Sequence, residues 1–244
     1  MIQTKIPIVL QIEEMVKDVP GWTPLDQLHT LFTLVFSGAQ LPGEIVEIGS
    51  WCGRSTVALG LAAKMTGVKG LHCVDLFPEK GDWIEGENGV RWFQVVVEGE
   101  TLVAYKNQPV WKEPFERDIA PLYEHQNGIY DIFQQTMKKT ELTDVVKAYR
   151  GNSAMFIKNV PRDFQCKLLF LDGDHSYSAV SSDIQNMEPF LVEHGWICFD
   201  DAFSHYEGVN RAITEHIIES GKYGPCQQMT RKLFVARKNS TTRK

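Results

Sequence analysis

The residues best suited to chemistry are acidic, and they follow two short apolar runs of the sequence. Asp172 follows the run 167–171, and Asp200 and Asp201 follow the run 195–199. If these runs form neighbouring strands, about 4.8 Å apart, the three carboxylates converge within coordination range. Carboxylates this close repel unless a positive charge lies between them, and oxygen ligands suit Mg²⁺ or another hard divalent cation. The sequence therefore predicts a metal site at Asp172, Asp200 and Asp201, the alternative being aspartates that cap helices.

A histidine near these aspartates is a candidate general base. His175 lies three residues beyond Asp172 and is expected to face the same pocket. There a near-neutral pKa would let the imidazole take a proton from a substrate hydroxyl. We therefore predict Asp172 and His175 as the catalytic residues, with His205, four residues after Asp201, as the rival base. A structural or capping role for His175 is the alternative.

A glycine turn marks a second candidate site. Residues 44–48 have the apolar, β-branched composition of a short buried strand, and residues 55–64 have a helical pattern with Ser55 as the N-cap. Gly49 and Gly53 lie between them. A strand, a glycine turn and a helix start are typical of the nucleotide cradle of α/β proteins.

The spacing of this turn argues against a dinucleotide. A dinucleotide-binding turn has glycines at offsets zero, two and five. Counted from Gly49, the last two offsets hold Trp51 and Arg54, so the fingerprint fails. Asp75 ends the apolar run that begins at Leu71, where a carboxylate can accept hydrogen bonds from both hydroxyls of a ribose. The alternative for Asp75 is a turn or cap aspartate.

Apolar runs alternate with helical patterns along the chain. Strands are predicted at 44–48, 71–74, 145–149, 167–171 and 195–199, and helices at 6–19, 25–36, 178–191 and 208–219. This alternation predicts an α/β fold with a Rossmann-like, doubly wound, mostly parallel sheet, to which residues 227–238 add an antiparallel strand. Ligands of such sheets bind at the carboxyl ends of the strands. Asn152 and Ser153 follow the third strand, where the adenine end of a nucleoside is expected.

The chain is predicted to fold as one domain, residues 1–244, with two additions. Residues 1–40 form an N-terminal helical segment, and residues 77–127 form an insertion after the second strand. The insertion is rich in aromatic residues, which a disordered linker would lack. It is expected to be a lid, a substrate-binding element or an oligomer contact, so a homo-oligomer stays open.

Composition narrows the class of protein. The net charge is −6, which gives no electrostatic footprint for nucleic acid, and the basic residues from Arg231 onward are expected to be a solvated end. Five cysteines without C-x-x-C spacing argue against zinc and disulfide frameworks. No signal peptide or membrane-spanning run is expected, which predicts a cytoplasmic protein with no membrane partner.

Four segments together resemble a known family. They are Glu-Ile-Gly-Ser-Trp-Cys-Gly-Arg-Ser-Thr (47–56), Val-Asp (74–75), Leu-Asp-Gly-Asp-His-Ser-Tyr (171–177) and Phe-Asp-Asp (199–201). In this order they resemble class I S-adenosylmethionine (SAM) methyltransferases, of the family containing macrocin-type sugar O-methyltransferases and cephalosporin-hydroxylase-like proteins. The resemblance covers about residues 40–76 and 143–236.

The resemblance implies a cofactor and its contacts. With the strand-end residues above, SAM is expected at Glu47, Gly49, Ser50, Trp51, Gly53, Ser55, Asp75, Asn152, Ser153 and Asp172. Metal-dependent members hold Mg²⁺ at the positions of Asp172, Asp200 and Asp201. Related catechol-type enzymes carry a lysine base at the position of His175, so the resemblance leaves the base open.

The expected activity follows from the candidate site residues and from the family resemblance together. We predict a SAM-dependent, divalent-metal-assisted O-methyltransferase that acts on a hydroxyl of a small molecule, such as a sugar or a sugar-bearing natural product. The metal would bind two neighbouring acceptor oxygens and lower the pKa of the attacking one. The alternatives are a nicotinamide-dependent oxidoreductase, against which Trp51 argues, and a non-catalytic SAM-binding protein.

Overall fold

A computed structural model of the protein describes residues 7–124 and 128–240. Its strands are β1 (Glu44–Ile48), β2 (Leu71–Asp75), β3 (Trp83–Glu85), β4 (Arg91–Val97), β5 (Glu100–Ala104), β6 (Val146–Arg150), β7 (Cys166–Leu171), β8 (Leu191–Phe199), β9 (Tyr223–Gln228) and β10 (Phe234–Lys238). Residues 1–6 of the predicted N-terminal segment and 125–127 of the predicted insertion lie outside the described residues.

The main sheet has seven strands in the order β6-β2-β1-β7-β8-β10-β9. The first five strands of this order pair in parallel, and β10 pairs antiparallel with both β8 and β9. The predicted Rossmann-like, mostly parallel sheet with an antiparallel C-terminal strand is confirmed. Because Leu171 of β7 lies opposite Phe199 of β8, the two aspartate segments leave the sheet side by side.

Helices cover both faces of this sheet. They are α1 (Ile8–Val16), α2 (Leu25–Ser37), α3 (Arg54–Thr66), α4 (Lys112–Pro114), α5 (Ala120–Glu124), α6 (Ile129–Lys139), α7 (Ser153–Asn159), α8 (Tyr177–Met187) and α9 (Glu207–Ile213). One apolar core packs α1, α2, α3 and α6 on the sheet, and a second packs α7, α8 and α9 on the opposite face. Successive residues of β7 point to opposite faces of the sheet. Phe170 packs into the first core and Leu171 into the second, as expected of a central strand.

The predicted insertion contains a small sheet of its own. Strands β3, β4 and β5 form an antiparallel sheet separate from the main one. Phe93, Val95 and Val97 on one face of β4 pack with Met155 of α7. This contact fixes the small sheet over the carboxyl end of the main sheet, beside the ends of β2 and β6.

The N-terminal helices are tied to the glycine turn by Arg54. Its Nη1 donates to the carbonyl of Val16 at 2.6 Å, and its Nε donates to the carbonyl of Thr23 at 2.9 Å. Arg54 is also the first residue of α3, whose N-cap is Gly53 rather than the predicted Ser55. No helix in the two described ranges combines the length and apolar character needed to cross a membrane.

Candidate active site

The turn after β1 passes so close to β7 that only glycine fits at its start. Gly49 has a φ of 90°, and a Cβ placed there would lie 2.1 Å from the carbonyl oxygen of Asp172. Gly53 also has a φ of 90°, a left-handed conformation that side chains disfavour. The two glycines therefore set the path of the turn, which brings the ends of β1 and β7 together.

Asp75, at the end of β2, holds this turn in place. Its Oδ2 accepts the backbone N–H of Trp51 at 2.9 Å, and its Oδ1 accepts the backbone N–H of Phe77 at 2.7 Å. Burial raises the pKa of Asp75, and these backbone donors only partly offset that effect. Each oxygen keeps acceptor capacity toward the cavity that Asp75 lines. We call the strand ends that carry Gly49, Asp75 and Ser153 the turn edge.

Glu47 lies beneath the turn rather than on the cavity wall. It is fully buried and accepts hydrogen bonds from the hydroxyls of Ser55 at 2.6 Å and Thr56 at 2.5 Å. These bonds explain why Ser55 does not cap α3, since its hydroxyl is already used. Of the predicted SAM contacts, Glu47 and Gly53 are the two that do not line the cavity. The geometry gives Glu47 the structural role of joining β1 to α3.

The segment after β6 contributes a polar cluster to the turn edge. Asn152 caps α7 by accepting the N–H of Met155 at 2.9 Å, and Ser153 donates to Oδ1 of Asp183 at 2.5 Å. Asn186 donates in turn to Ser153 at 3.0 Å. Burial raises the pKa of Asp183 to about 7. Sequence reasoning missed Asp183 and Asn186, because only the docking of α8 against α7 brings them to the cavity wall.

Two of the carboxylates predicted to bind metal, Asp200 and Asp201, share one lysine. Nζ of Lys232 lies 2.8 Å from Oδ2 of Asp200 and 3.4 Å from Oδ1 of Asp201. Nε2 of Gln27, in α2, donates to the other oxygen of Asp200 at 2.6 Å. We call the strand ends that carry Asp172, Asp200 and Asp201 the aspartate edge.

These contacts occupy oxygens that the predicted metal ion would use. Within residues 7–124 and 128–240, no group of three or more His, Cys, Asp or Glu side chains is arranged to hold a metal ion. The physical reason is the Lys232 ammonium, which provides the positive charge that close carboxylates require. The expectation that the basic residues from Arg231 onward are a solvated end is wrong for Lys232, whose side chain is only 12% exposed.

Burial and neighbouring charges shift the pKa values of Asp172 and Lys232 at the aspartate edge. Burial, with the nearby carboxylate of Asp200, raises the pKa of Asp172 well above its ordinary value. Burial disfavours the Lys232 ammonium, but attraction by Asp200, Asp172 and Asp201 outweighs it and raises the pKa of Lys232. The edge therefore combines a lysine that stays charged with one carboxyl that favours its neutral form.

His175 lies at the aspartate edge, as expected from its spacing. Its Nε2 is 3.4 Å from Oδ2 of Asp201, and its ring packs against Tyr206 with the centroids 4.2 Å apart. Burial lowers the pKa of His175, although Asp201 acts in the opposite direction. His205 also lines the cavity but is exposed. A mostly buried imidazole with a lowered pKa beside a carboxylate has the features of a general base.

The insertion closes over this edge through Tyr105. The backbone N–H of Tyr105 donates to Oδ2 of Asp174 at 2.5 Å, and Oδ1 of Asp174 accepts the N–H of Ser176 at 2.7 Å. Sequence reasoning missed this contact, which joins positions 69 residues apart. The Tyr105 ring also lies 6.0 Å, centroid to centroid, from that of His175.

One cavity of about 1040 Å³ runs along both edges. Of the predicted site residues it is lined by Gly49, Ser50, Trp51, Ser55, Asp75, Asn152, Ser153, Asp172, His175, Asp200, Asp201 and His205, and the insertion adds residues 102–111. Within the described ranges, the buried indole Nε1 of Trp51 has no hydrogen-bond partner. A buried donor without a partner is uncommon in folded proteins.

Comparison with known proteins identifies the domain. The sequence profile of a family described as a methyltransferase domain matches residues 46–202, which is more than half of the chain. Among curated proteins, the chain is 30% identical over 89 residues to uncharacterized protein R132 of Acanthamoeba polyphaga mimivirus. That match spans 33% of this chain and 38% of the relative.

Solved structures of O-methyltransferases share the fold. The chain is similar to the O-methyltransferase NovP, with a TM-score of 0.62 and 16% identity over 90% of this chain and 84% of that one. It is similar to CalS11, a TDP-rhamnose 3′-O-methyltransferase of calicheamicin biosynthesis, with a TM-score of 0.54 and 14% identity over 96% and 87%. An O-methyltransferase of Bacillus cereus in complex with S-adenosylhomocysteine (SAH) gives 0.54 and 13% over 97% and 94%. The chain belongs to the methyltransferase-domain family, and its fold is that of class I SAM-dependent O-methyltransferases.

Proposed function

We propose that the protein transfers the methyl group of SAM to a hydroxyl oxygen of a small molecule. The observation that supports this best is the continuity of the cavity, which joins the turn edge to His175 at the aspartate edge. A methyl donor bound at the turn edge and a hydroxyl beside His175 would share one enclosed space. The reaction is then mainly a matter of alignment.

The turn edge has the groups that a nucleoside cofactor needs. Asp75 lines the cavity and retains acceptor capacity for ribose hydroxyls. SAM, when bound, supplies an electrophilic methyl group on a positively charged sulfonium. Asp200 and Asp201 lie farther along the same wall, where Lys232 pairs with both.

His175 is the base in this proposal. Its lowered pKa keeps the imidazole neutral near pH 7, so it can accept the proton of the acceptor hydroxyl. Asp201, 3.4 Å from Nε2, stabilises the imidazolium that forms. Burial by Tyr206 and approach by Tyr105 keep the ring away from bulk water.

The predicted metal assistance does not fit the residues as they are arranged. Mg²⁺ at Asp172, Asp200 and Asp201 would compete with the Lys232 ammonium for the oxygens of Asp200 and Asp201. One of these oxygens already has another partner, because Oδ1 of Asp200 accepts a hydrogen bond from the Gln27 amide. The proposed reaction therefore uses the side chains of the protein itself.

The acceptor is proposed to be a small hydroxylated molecule, with sugars and sugar-bearing natural products as the first class to examine. Support comes from the likeness in fold to CalS11, whose own acceptor is a TDP-linked sugar. The insertion is proposed to form the acceptor wall, because Lys106 and Trp111 line the cavity and Trp111 is 74% exposed. The net charge of −6 supports a small molecule rather than nucleic acid as the partner.

Binding and turnover test the proposal separately. Calorimetry with SAH, SAM and NAD should give binding of SAH and SAM in preference to NAD. SAH release should then be measured with a panel of nucleotide sugars, glycosides and catechols. Preference for NAD would support the oxidoreductase alternative, and SAH binding without turnover on any acceptor would support the non-catalytic one.

A further inference from the structure

The Lys232 ammonium lies where the sequence predicts a divalent cation. It contacts Asp200 and Asp201 from the turn between β9 and β10, and the side chain of Asp200 is only 4% exposed. Because β7 and β8 end side by side, Asp172 leaves the sheet at the same edge as these two aspartates. A metal ion bound by the same oxygens would have to displace the ammonium or lie against it, and like charges at such distances repel strongly.

The remaining coordination capacity at this point is small. The two oxygens of Asp200 are engaged separately, Oδ1 by the Gln27 amide and Oδ2 by Lys232. Oδ1 of Asp201 faces Lys232, and its Oδ2 faces His175. Four carboxylate oxygens thus have protein partners from three distant parts of the chain.

We propose that Lys232 is the resident cation of this active site and performs there the two tasks of a metal ion. The first task is to neutralise the strand-end carboxylates. The second, which rests on the proposed function, is to donate a hydrogen bond to the acceptor oxygen. Lys232 thereby becomes a catalytic residue that the predicted metal mechanism does not contain.

The donor inventory of the ammonium supports the second task. An ammonium has three N–H donors. Two are used by Asp200 and Asp201, and in the described part of the chain no third acceptor contacts Nζ. Because Lys232 lines the cavity, the third donor is available to an acceptor hydroxyl that also approaches His175.

The chemical step balances without a metal. The acceptor O–H gives its proton to the imidazole of His175, and an electron pair of that oxygen forms the new bond to the methyl carbon. The bonding pair of the old carbon–sulfur bond returns to sulfur. The Lys232 N–H stabilises the negative charge that develops on oxygen and remains protonated throughout.

Mn²⁺ binding, followed by electron paramagnetic resonance, tests the first task without requiring turnover. Wild type should leave Mn²⁺ free, because the ammonium holds the site. Lys232→Ala removes the ammonium from a cluster of carboxylates, so it should bind one Mn²⁺ per chain about 100-fold more tightly than wild type or better. Lys232→Arg keeps the positive charge and should still exclude Mn²⁺.

A matched control comes from a lysine remote from the cavity. Lys238 donates to the carbonyls of Glu188 and Leu191, so Lys238→Ala should create no Mn²⁺ site. If Lys232→Ala does not fold, Lys232→Gln keeps a donor for Asp200 while removing the charge, and it carries the same expectation. Stoichiometric Mn²⁺ binding by wild type overturns the proposal. Absence of Mn²⁺ binding in both wild type and the neutral variants also overturns it, because the carboxylates would then not form a cation site.

Turnover tests the second task. With any acceptor found for the enzyme, EDTA should leave the kcat of wild type unchanged, and Lys232→Ala should lower kcat about 100-fold or more. SAH affinity, measured in the same samples, should stay within about threefold because Lys232 acts on the acceptor rather than the turn edge. Loss of activity in EDTA, or a Lys232→Ala enzyme with wild-type kcat, contradicts the proposal. Failure of wild type to bind SAH would instead contradict the proposed function and leave the Mn²⁺ result to decide on Lys232.

Discussion

The turn edge and the aspartate edge both place carboxyl groups at the ends of parallel strands, but they stabilise them differently. Asp75 and Asp183 at the turn edge are held by neutral N–H and O–H donors, and burial raises the pKa of each. Asp200 and Asp201 share the Lys232 ammonium. Neutral donors leave a carboxyl without a counter-charge, whereas the Lys232 ammonium provides one for Asp200 and Asp201. The two edges therefore differ in that Asp200 and Asp201 have a lysine counter-charge beside them, whereas Asp75 and Asp183 rely on neutral donors.

The largest expected effect separates chemistry from binding. His175→Ala removes the proposed base and should lower kcat by about 10²–10⁴. SAH affinity should be nearly unchanged, because the turn edge does not include His175. Steady-state kinetics and calorimetry on the same protein make this comparison.

His205→Ala is the matched control for His175. His205 lines the same cavity but is exposed, so its loss should lower kcat much less. An inactive His205→Ala enzyme beside a fully active His175→Ala enzyme would reverse the two roles. Equal and small losses would mean that neither imidazole serves as the base.

The second prediction concerns the contact between the two edges. Gly49→Ala would place a Cβ 2.1 Å from the carbonyl of Asp172 and force a φ of 90° on a side chain. The free energy of unfolding should fall by more than about 3 kcal/mol, measured by urea denaturation. Gly67→Ala is the control, because Gly67 has a φ of 71° with nothing within 4 Å and should cost about 1–2 kcal/mol. Equal losses would show that backbone conformation alone, rather than the approach of β1 to β7, requires glycine at position 49.

The third prediction tests which carboxyl binds the cofactor. Asp75→Ala removes a charged hydrogen-bond partner of the ribose, worth about 1.5–3 kcal/mol, so SAH should bind roughly tenfold more weakly or worse. Glu47→Gln, on the neighbouring strand but off the cavity, should lower thermal stability and leave SAH affinity unchanged. Calorimetry with SAH that gives equal losses for both variants would restore Glu47 as a cofactor contact.

The part of the turn edge around Asp75 could be predicted because its contacts are short in sequence, whereas Asp183, 30 positions from Ser153, could not. Asp75 binds the backbone two residues ahead and the turn 24 residues behind, and the strand that carries it was recognised from its apolar run. The sequence places aspartates after both runs, and the observed pairing of β7 with β8 brings these aspartates to one edge of the sheet. Strand position in a parallel sheet is thus enough to bring such residues to one edge.

The partners of the aspartate edge could not be predicted in the same way. Gln27 binds Asp200 across 173 positions, and Lys232 binds it across 32. Lys232 belongs to a basic stretch whose composition indicates a solvated end, and only the antiparallel pairing of β10 with β8 returns it to the cavity. Three converging carboxylates indicate that a cation is needed, but they do not indicate whether the chain supplies it.

The smallest predicted effect tests how the turn edge holds a carboxyl group without a cation. The pKa of Asp183 in the folded protein is about 7, against about 4 for an ordinary aspartate. Between these pH values the folded protein retains a proton that the unfolded chain has released, so this stabilisation is complete below pH 4 and is lost as pH rises through 7.

Asp183→Asn can still accept the Ser153 hydroxyl but does not titrate. Urea unfolding at pH 5 and pH 8 should therefore show wild type losing about 1–3 kcal/mol more than the variant over this range. Asp163→Asn, at an exposed aspartate, should follow wild type. If Asp183→Asn follows wild type as well, Asp183 is ionised in the folded protein, and the contrast between the two edges does not extend to it.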